Sequence, residues 1–260
     1  MKFTHKAAAA TAPALAALAL LATPAQADIV GESVTYEVGG QTYEGYYARN
    51  TALGADQPTV MIIHDWDGLG DYERRRAQML AEQGYAVFAA DLYGQGVRPD
   101  TLEGKKRESG ALYQDREAMR ARMQGALDQI AELDGASADN VVAIGYCFGG
   151  SAVLELARAG AALEGFVPFH GGLGTPDGQD YADVQGPLLI LHGTQDSVSG
   201  LDDVADLTQQ LDKAGADYRV ELYGGARHAF TVWTSQERYH PQADLRSWAA
   251  LQDFLTRELK

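Results

Sequence analysis

The chain of 260 residues contains one cysteine, Cys147, and its neighbours give it a chemical setting. It stands in Gly145-Tyr146-Cys147-Phe148-Gly149, after the apolar run from Val141 to Tyr146 and before a stretch of helical spacing from Gly149 to Arg158. Glycine, nucleophile and glycine at alternate positions between a strand and a helix make an elbow. The two residues without a β-carbon let the backbone turn tightly and present the middle side chain in a strained, exposed pose. A helix beginning near Phe148 points its positive end at the sulfur, which favours thiolate over thiol. Its first free amides can also face a developing oxyanion. The plain alternative is a small buried thiol at a glycine-rich strand end. The strand-elbow-helix context favours a nucleophile for acyl transfer through a thioester.

A nucleophile on such an elbow needs a base, and the chain order expected is nucleophile, acid, histidine. Six histidines are present. His64, His170 and His192 each end a strand-like run, and His170 and His192 also follow Cys147, so order alone leaves them open. His228 lies in the glycine-containing loop after the last strand, where the base is expected. Asp196, four residues past the strand ending at His192, is placed to accept a hydrogen bond from an imidazole and fix its tautomer. Asp202 and Asp203 compete with it but read as helix-start caps. The loop His64-Asp65-Trp66-Asp67-Gly68 follows the first central strand, where a second oxyanion amide is expected. The amides of Trp66 and Phe148 are therefore the candidate oxyanion donors, with Asp65 either tuning the nucleophile or closing the loop. Arg98, Tyr93 and Trp233 are candidate substrate contacts, and Tyr113 and Tyr239 are further aromatic candidates for the wall.

These residues need a frame that gathers them at one edge. Ser33–Val38 and Thr42–Ala48 read as a hairpin turning at Gly39-Gly40. Pro58–His64, Tyr85–Tyr93, Val141–Tyr146, Gly165–Phe169, Pro187–His192 and Tyr218–Tyr223 read as further strands, mostly continuous apolar runs of the kind buried on both faces. Helical spacing separates them at Tyr72–Gln83, Leu112–Leu133, Gly149–Arg158 and Val204–Ala214, and Ala243–Leu259 forms a closing helix. The charged stretch from Arg98 to Ser109 reads as an irregular loop over one end of the sheet. Alternation of this kind predicts one α/β domain with a doubly wound, mostly parallel sheet of about eight strands, its site at the carboxyl ends of those strands.

Composition narrows the function classes. Asp and Glu number 36 against 21 Lys and Arg, a net charge of −15, which disfavours a nucleic-acid partner. One thiol makes neither an intrachain disulfide nor a cysteine-rich zinc site, and no metal or cofactor is expected. Lys2 and Lys6, the Ala/Leu-rich run from Ala7 to Ala22 and the small-x-small pattern Ala25-Gln26-Ala27 read as a signal peptide over residues 1–27. The mature domain is then 28–260, exported to the periplasm or secreted, with no membrane span after processing. The apolar core, broken by Pro13, is short for a spanning helix. Loss of two lysines takes the net charge to −17.

The segments HDWDGL, DLYG, GYCFGG and HGTQD, with the Gly-x-x-His-Ala-Phe loop, together resemble the dienelactone hydrolase family of α/β-hydrolases over essentially the whole mature chain. The resemblance implies a single-domain α/β-hydrolase fold and a triad carried over onto Cys147, His228 and Asp196. It also implies cofactor-free hydrolysis of enol-lactones or related small esters. The best-known members of the family have a Glu after the strand-end His that restrains the resting nucleophile; here that position is Asp65. They also have an Arg four residues after the catalytic His; here that position is Val232. Two other functions use the same elbow: an acyltransferase that excludes water, and a secreted binding protein that has lost catalysis.

Overall fold

The computed structural model describes residues 1, 2, 4 and 28–259, so the expected signal segment lies largely outside the described residues. The chain opens with a hairpin, β1 (Ile29–Val38) and β2 (Gln41–Asn50), turning at Gly39-Gly40, both at positive φ. It then alternates through β3 (Gln57–Ile63), α1 (Asp71–Ala81), β4 (Ala86–Ala90), α2 (Leu102–Gln114), α3 (Arg116–Ile130), β5 (Ala136–Tyr146) and α4 (Phe148–Arg158). β6 (Gly165–Phe169), β7 (Leu188–Gln195), α5 (Leu201–Ala214), β8 (Tyr218–Arg227) and α6 (Pro241–Glu258) complete it. The eight strands form one sheet in the order β1-β2-β4-β3-β5-β6-β7-β8. β1 pairs antiparallel with β2 and β2 with β4, and every later pairing is parallel.

Residues 60–63, 86–90 and 141–146 are buried on both faces of the sheet, which is why these stretches are continuously apolar rather than alternating. Met61 and Ile63 of β3 and Val141 and Ala143 of β5 pack with Met119 and Met123 of α3, Val153 of α4 and Leu207 of α5. Val60, Ile62, Val142 and Ile144 face the other way, onto Leu80 of α1 and Leu251, Phe254 and Leu255 of α6. The sheet is doubly wound, and its parallel strands deliver their carboxyl ends to one edge.

Two expectations need correction. The stretch from Arg98 to Ser109 is not an irregular loop throughout: α2 begins at Leu102, capped by Thr101, whose Oγ1 accepts the Gly104 amide at 3.1 Å. Only Gly104, Ser109 and Leu112 of α2 are buried, too thin an apolar stripe to stand out among its charges. The single helix expected from Leu112 to Leu133 is two helices. Asp115 leaves helical geometry (φ −115°, ψ 84°) and turns its carboxylate to cap the Ala118 amide at 2.9 Å. Among the described residues no helix is long and apolar enough to cross a membrane.

Candidate active site

β5 ends in the elbow, and the glycines there are set by contact. A β-carbon on Gly145 would lie 2.2 Å from the Gly149 carbonyl oxygen, and one on Gly149 would lie 2.1 Å from that of Ile63. Cys147 takes φ 54° and ψ −110°, a left-handed conformation that a non-glycine residue adopts only under constraint. The constraint is visible: its amide donates to both Phe169 O and His170 Nδ1 at 3.1 Å, and its carbonyl accepts from Ser151 N at 3.2 Å. The sulfur lies at the N-terminus of α4 and is partly accessible.

His228 follows directly on β8 and Asp196 directly on β7, two adjacent parallel strands. His228 Nε2 stands 3.0 Å from Cys147 Sγ, and its Nδ1 2.9 Å from Asp196 Oδ2. Asp196 is fixed in turn because its Oδ1 accepts the amides of Val198 (2.8 Å) and Ser199 (3.2 Å). Burial alone would favour a neutral carboxyl at Asp196, but the hydrogen bond from His228, that ring's charge and the Val198 amide hold it below the usual carboxylate range. Burial likewise works against charge on His228. The bonds to Asp196 and Cys147 outweigh it and raise the imidazole from 6.5 to about 10, so the ring is an imidazolium at neutral pH.

The other strand-end histidines are engaged elsewhere. His64 donates from Nδ1 to Asp65 O (2.6 Å) and accepts the Leu92 amide at Nε2 (3.1 Å), and its burial lowers it to about 4. His192 donates from Nε2 to Ser199 O at 2.9 Å. His170 lies beneath Cys147, its Nδ1 accepting the Cys147 amide. Asp203 caps α5 by accepting the Gly200 amide at 2.8 Å, and Asp202 lies in the same first turn.

The loop after β3 faces Cys147 across a cavity of about 480 Å³ whose wall includes Trp66, Tyr113, Phe148, Val232 and Arg238. Phe148 is the first residue of α4, so its amide has no intrahelical acceptor, and the Trp66 amide finds no acceptor among the described residues. Glu73 of α1 staples this loop, its Oε2 accepting Gly70 N at 2.9 Å and its Oε1 Asp65 N at 3.3 Å. The Asp65 carboxylate accepts the Asp67 amide at 2.7 Å, so it closes a turn on the cavity wall. Burial first, then the charges of Glu73 and Asp67, push its acid well above the ordinary range.

The three candidate substrate contacts lie elsewhere. Tyr93 is 3% exposed and donates from its hydroxyl to Trp66 O at 3.3 Å, supporting the loop from beneath. The guanidinium of Arg98 is used within the fold, bonding Leu69 O and Val97 O and pairing with the buried Asp91 at 3.4 Å. Trp233 packs on Tyr72 (ring centroids 4.5 Å apart) and under Arg76 (4.7 Å). Arg98 and Trp233 line an adjoining, larger groove of about 1110 Å³, which shares Asp65, Asp67, Val232 and Thr234 with the cavity at Cys147. That groove contains none of Cys147, His228 and Asp196, whereas Cys147 and His228 both line the smaller cavity. Tyr239 is also turned away, bonding Asp244 at 3.2 Å. Sequence reasoning passes over Thr231 and Tyr72 because their partners lie in distant segments, and over Glu73 although its partners, the Asp65 and Gly70 amides, are close in sequence. A Glu three residues into a helix was the one local signal, that of an N-terminal capping pattern. Among the described residues no group of His, Cys, Asp and Glu is placed to hold a metal ion.

The dienelactone hydrolase family profile matches residues 43–259. Among solved structures, the protein named m3DLH is 32% identical, superposes with a TM-score of 0.84 and covers 89% of this chain and 99% of its own. A dienelactone hydrolase-like promiscuous phosphotriesterase from metagenomic libraries is 29% identical with a TM-score of 0.85, covering 90% and 100%. A relative in Aquifex aeolicus named putative carboxymethylenebutenolidase is 24% identical over 236 residues, which span 89% of this chain and all of the relative.

Proposed function

The chain belongs to the dienelactone hydrolase family and is a hydrolase of that kind, and from that premise we propose that it opens small esters or enol-lactones through a Cys147-His228-Asp196 triad and a thioester intermediate. The observation that carries the reading is the continuous line of contacts from Asp196 Oδ2 through both nitrogens of His228 to Cys147 Sγ, at 2.9 and 3.0 Å. In the first half-reaction Cys147 Sγ, as thiolate, attacks the carbonyl carbon. The electron pair moves onto the carbonyl oxygen, where the amides of Phe148 and Trp66 receive it, each contributing about 3 kcal/mol. The tetrahedral intermediate collapses by breaking the acyl C–O bond, and His228 passes its Nε2 proton to the leaving oxygen. In the second half-reaction His228, now neutral, takes a proton from water. The hydroxide attacks the thioester and the sulfur leaves as thiolate, restoring the imidazolium. Asp196 keeps Nδ1 protonated throughout and offsets the charge.

A thiolate is both a good nucleophile and a good leaving group, so activated esters and enol-lactones suit this site better than amides. Val232, where the best-known members of the family carry an Arg, gives the cavity wall no cation at that position. Export completes the proposal. Residues 1–27 act as a signal peptide and 28–260 as the periplasmic or secreted enzyme, a reading supported by the basic start, apolar run and Ala25-Gln26-Ala27 pattern. Replacement Cys147→Ala tests the catalytic reading. Turnover of p-nitrophenyl acetate and of an enol-lactone should vanish while the melting temperature stays nearly unchanged, and full activity in that variant ends the proposal.

A further inference from the structure

We propose that His170 is a positioning residue for the nucleophile, a neutral imidazole strut that holds the Cys147 backbone through Nδ1 and is itself anchored through Thr231 to Tyr72 and Arg76 of α1. The inference rests on Cys147 being the nucleophile and assigns a residue outside the triad to the same reaction.

A non-glycine residue at φ 54° is strained and persists only where its surroundings over-determine it. The flanking glycines permit the bend but do not fix where the sulfur points. The Cys147 amide does, and one of its two acceptors is an imidazole nitrogen, His170 Nδ1 at 3.1 Å. Acceptance at Nδ1 requires that nitrogen to be unprotonated, which places the ring proton on Nε2. Nε2 lies 2.8 Å from Thr231 Oγ1 and donates to it. Thr231 Oγ1 is also 2.7 Å from the Tyr72 hydroxyl, which accepts from Arg76 Nε at 3.2 Å. Arg76 is closed off by Thr231 O and the Asp244 carboxylate. One line of hydrogen bonds thus runs from the elbow, through the end of β6 and the loop after β8, to a buried guanidinium on α1. Thr231 lies three residues after His228, so the same line ties the segment bearing the base to the backbone bearing the nucleophile.

The arrangement works only while His170 is neutral. A second ring proton would remove one of the two acceptors of the Cys147 amide, leaving Phe169 O alone, and set a cation beside His228, whose ring centroid is 5.5 Å away. Complete burial, with the nearby charge of His228, pushes His170 well below the ordinary imidazole range, in keeping with that requirement. His170 itself sits at φ 39°, a conformation in which Asn is the best-tolerated side chain after glycine. That fact supplies a discriminating pair of variants. Asn at position 170 keeps an acceptor oxygen near the place of Nδ1 but loses the reach to Thr231. Gln reaches toward Thr231 but offers the Cys147 amide no acceptor.

The experiment measures kcat and KM on p-nitrophenyl acetate, the iodoacetamide alkylation rate of Cys147 and the melting temperature for His170→Asn, His170→Gln and Cys147→Ala. His170→Gln should lose about 100-fold in kcat with KM little changed, as expected for a nucleophile displaced by about an ångström. Its alkylation should slow in parallel, while His170→Asn recovers most of the kcat. A wild-type kcat in His170→Gln, or an equal fall in both variants, overturns the strut. Should His170→Gln fail to fold, Thr231→Val against Thr231→Ser takes its place: the hydroxyl-bearing variant keeps kcat and the other loses it, and equal kcat in the two overturns the proposal. Activity retained in Cys147→Ala would instead strike the triad itself. Inactive Cys147→Ala beside fully active His170→Gln removes only the strut.

Discussion

At the scale of single residues, the site is a short chain of charge and hydrogen bonds, and its members differed in how plainly the sequence declared them. Cys147 is legible because cysteine, glycines and helix start are contiguous. His228 and Asp196 are legible only as positions after strands, since three other histidines also end strands and sequence order carries no distances. The 3.0 Å approach of His228 Nε2 to Sγ separates them in space. Arg98 shows the reverse: a charged loop residue is an obvious candidate for substrate, yet its donors are absorbed by Leu69 O, Val97 O and Asp91. Two outcomes follow from the electrostatics. Proton resonances of the His228 ring should remain those of an imidazolium through neutral pH and titrate near pH 10; Asp196→Asn should bring that midpoint down. Because the folded midpoint lies above the ordinary 6.5, this group's contribution to stability is complete below pH 6.5 and is lost as pH rises toward 10. A second measurement is steady-state turnover of Asp196→Asn, which should fall about 10³- to 10⁴-fold in kcat with the fold intact, because the imidazole loses both its tautomer control and its counter-charge.

Among the elements, the parallel strands and the helices between them were readable because burial on both faces leaves continuous apolar runs, and the eight-stranded doubly wound sheet agrees with that reading. The segment from Arg98 to Leu133 was misread for a physical reason. α2 buries only three residues and so lacks a clear amphipathic stripe, and the break at Asp115 contains neither proline nor glycine. Asp115 acts instead by capping α3, and Asp115→Ala should cost about 1 kcal/mol in urea denaturation with the active site unaffected. The elbow is far less tolerant. Gly149→Ala places a β-carbon against the Ile63 carbonyl oxygen and should lose more than about 4 kcal/mol or fail to fold. Gly110→Ala, in α2 with open space around it, should be neutral or stabilising by up to about 1 kcal/mol in the same assay.

On the scale of the whole molecule, the fold brings residues 66, 147, 196 and 228 together because four parallel strands end at one edge of the sheet, the rule for open α/β sheets. That convergence rests on residues 28–259, so a chain beginning at Asp28 should fold and hydrolyse p-nitrophenyl acetate. Expression of the full chain in a bacterium should yield a periplasmic or secreted product whose N-terminal residue is Asp28. The account as a whole stands on an acyl group carried by sulfur, and the most direct measurement is mass spectrometry of enzyme quenched with acid during turnover of p-nitrophenyl acetate. The account predicts one added acetyl group on the peptide containing Cys147, accumulating in the first turnover and decaying at the rate of hydrolysis. An acetyl group on a different residue that forms and decays at that rate, or turnover with Cys147 never acylated, would contradict it.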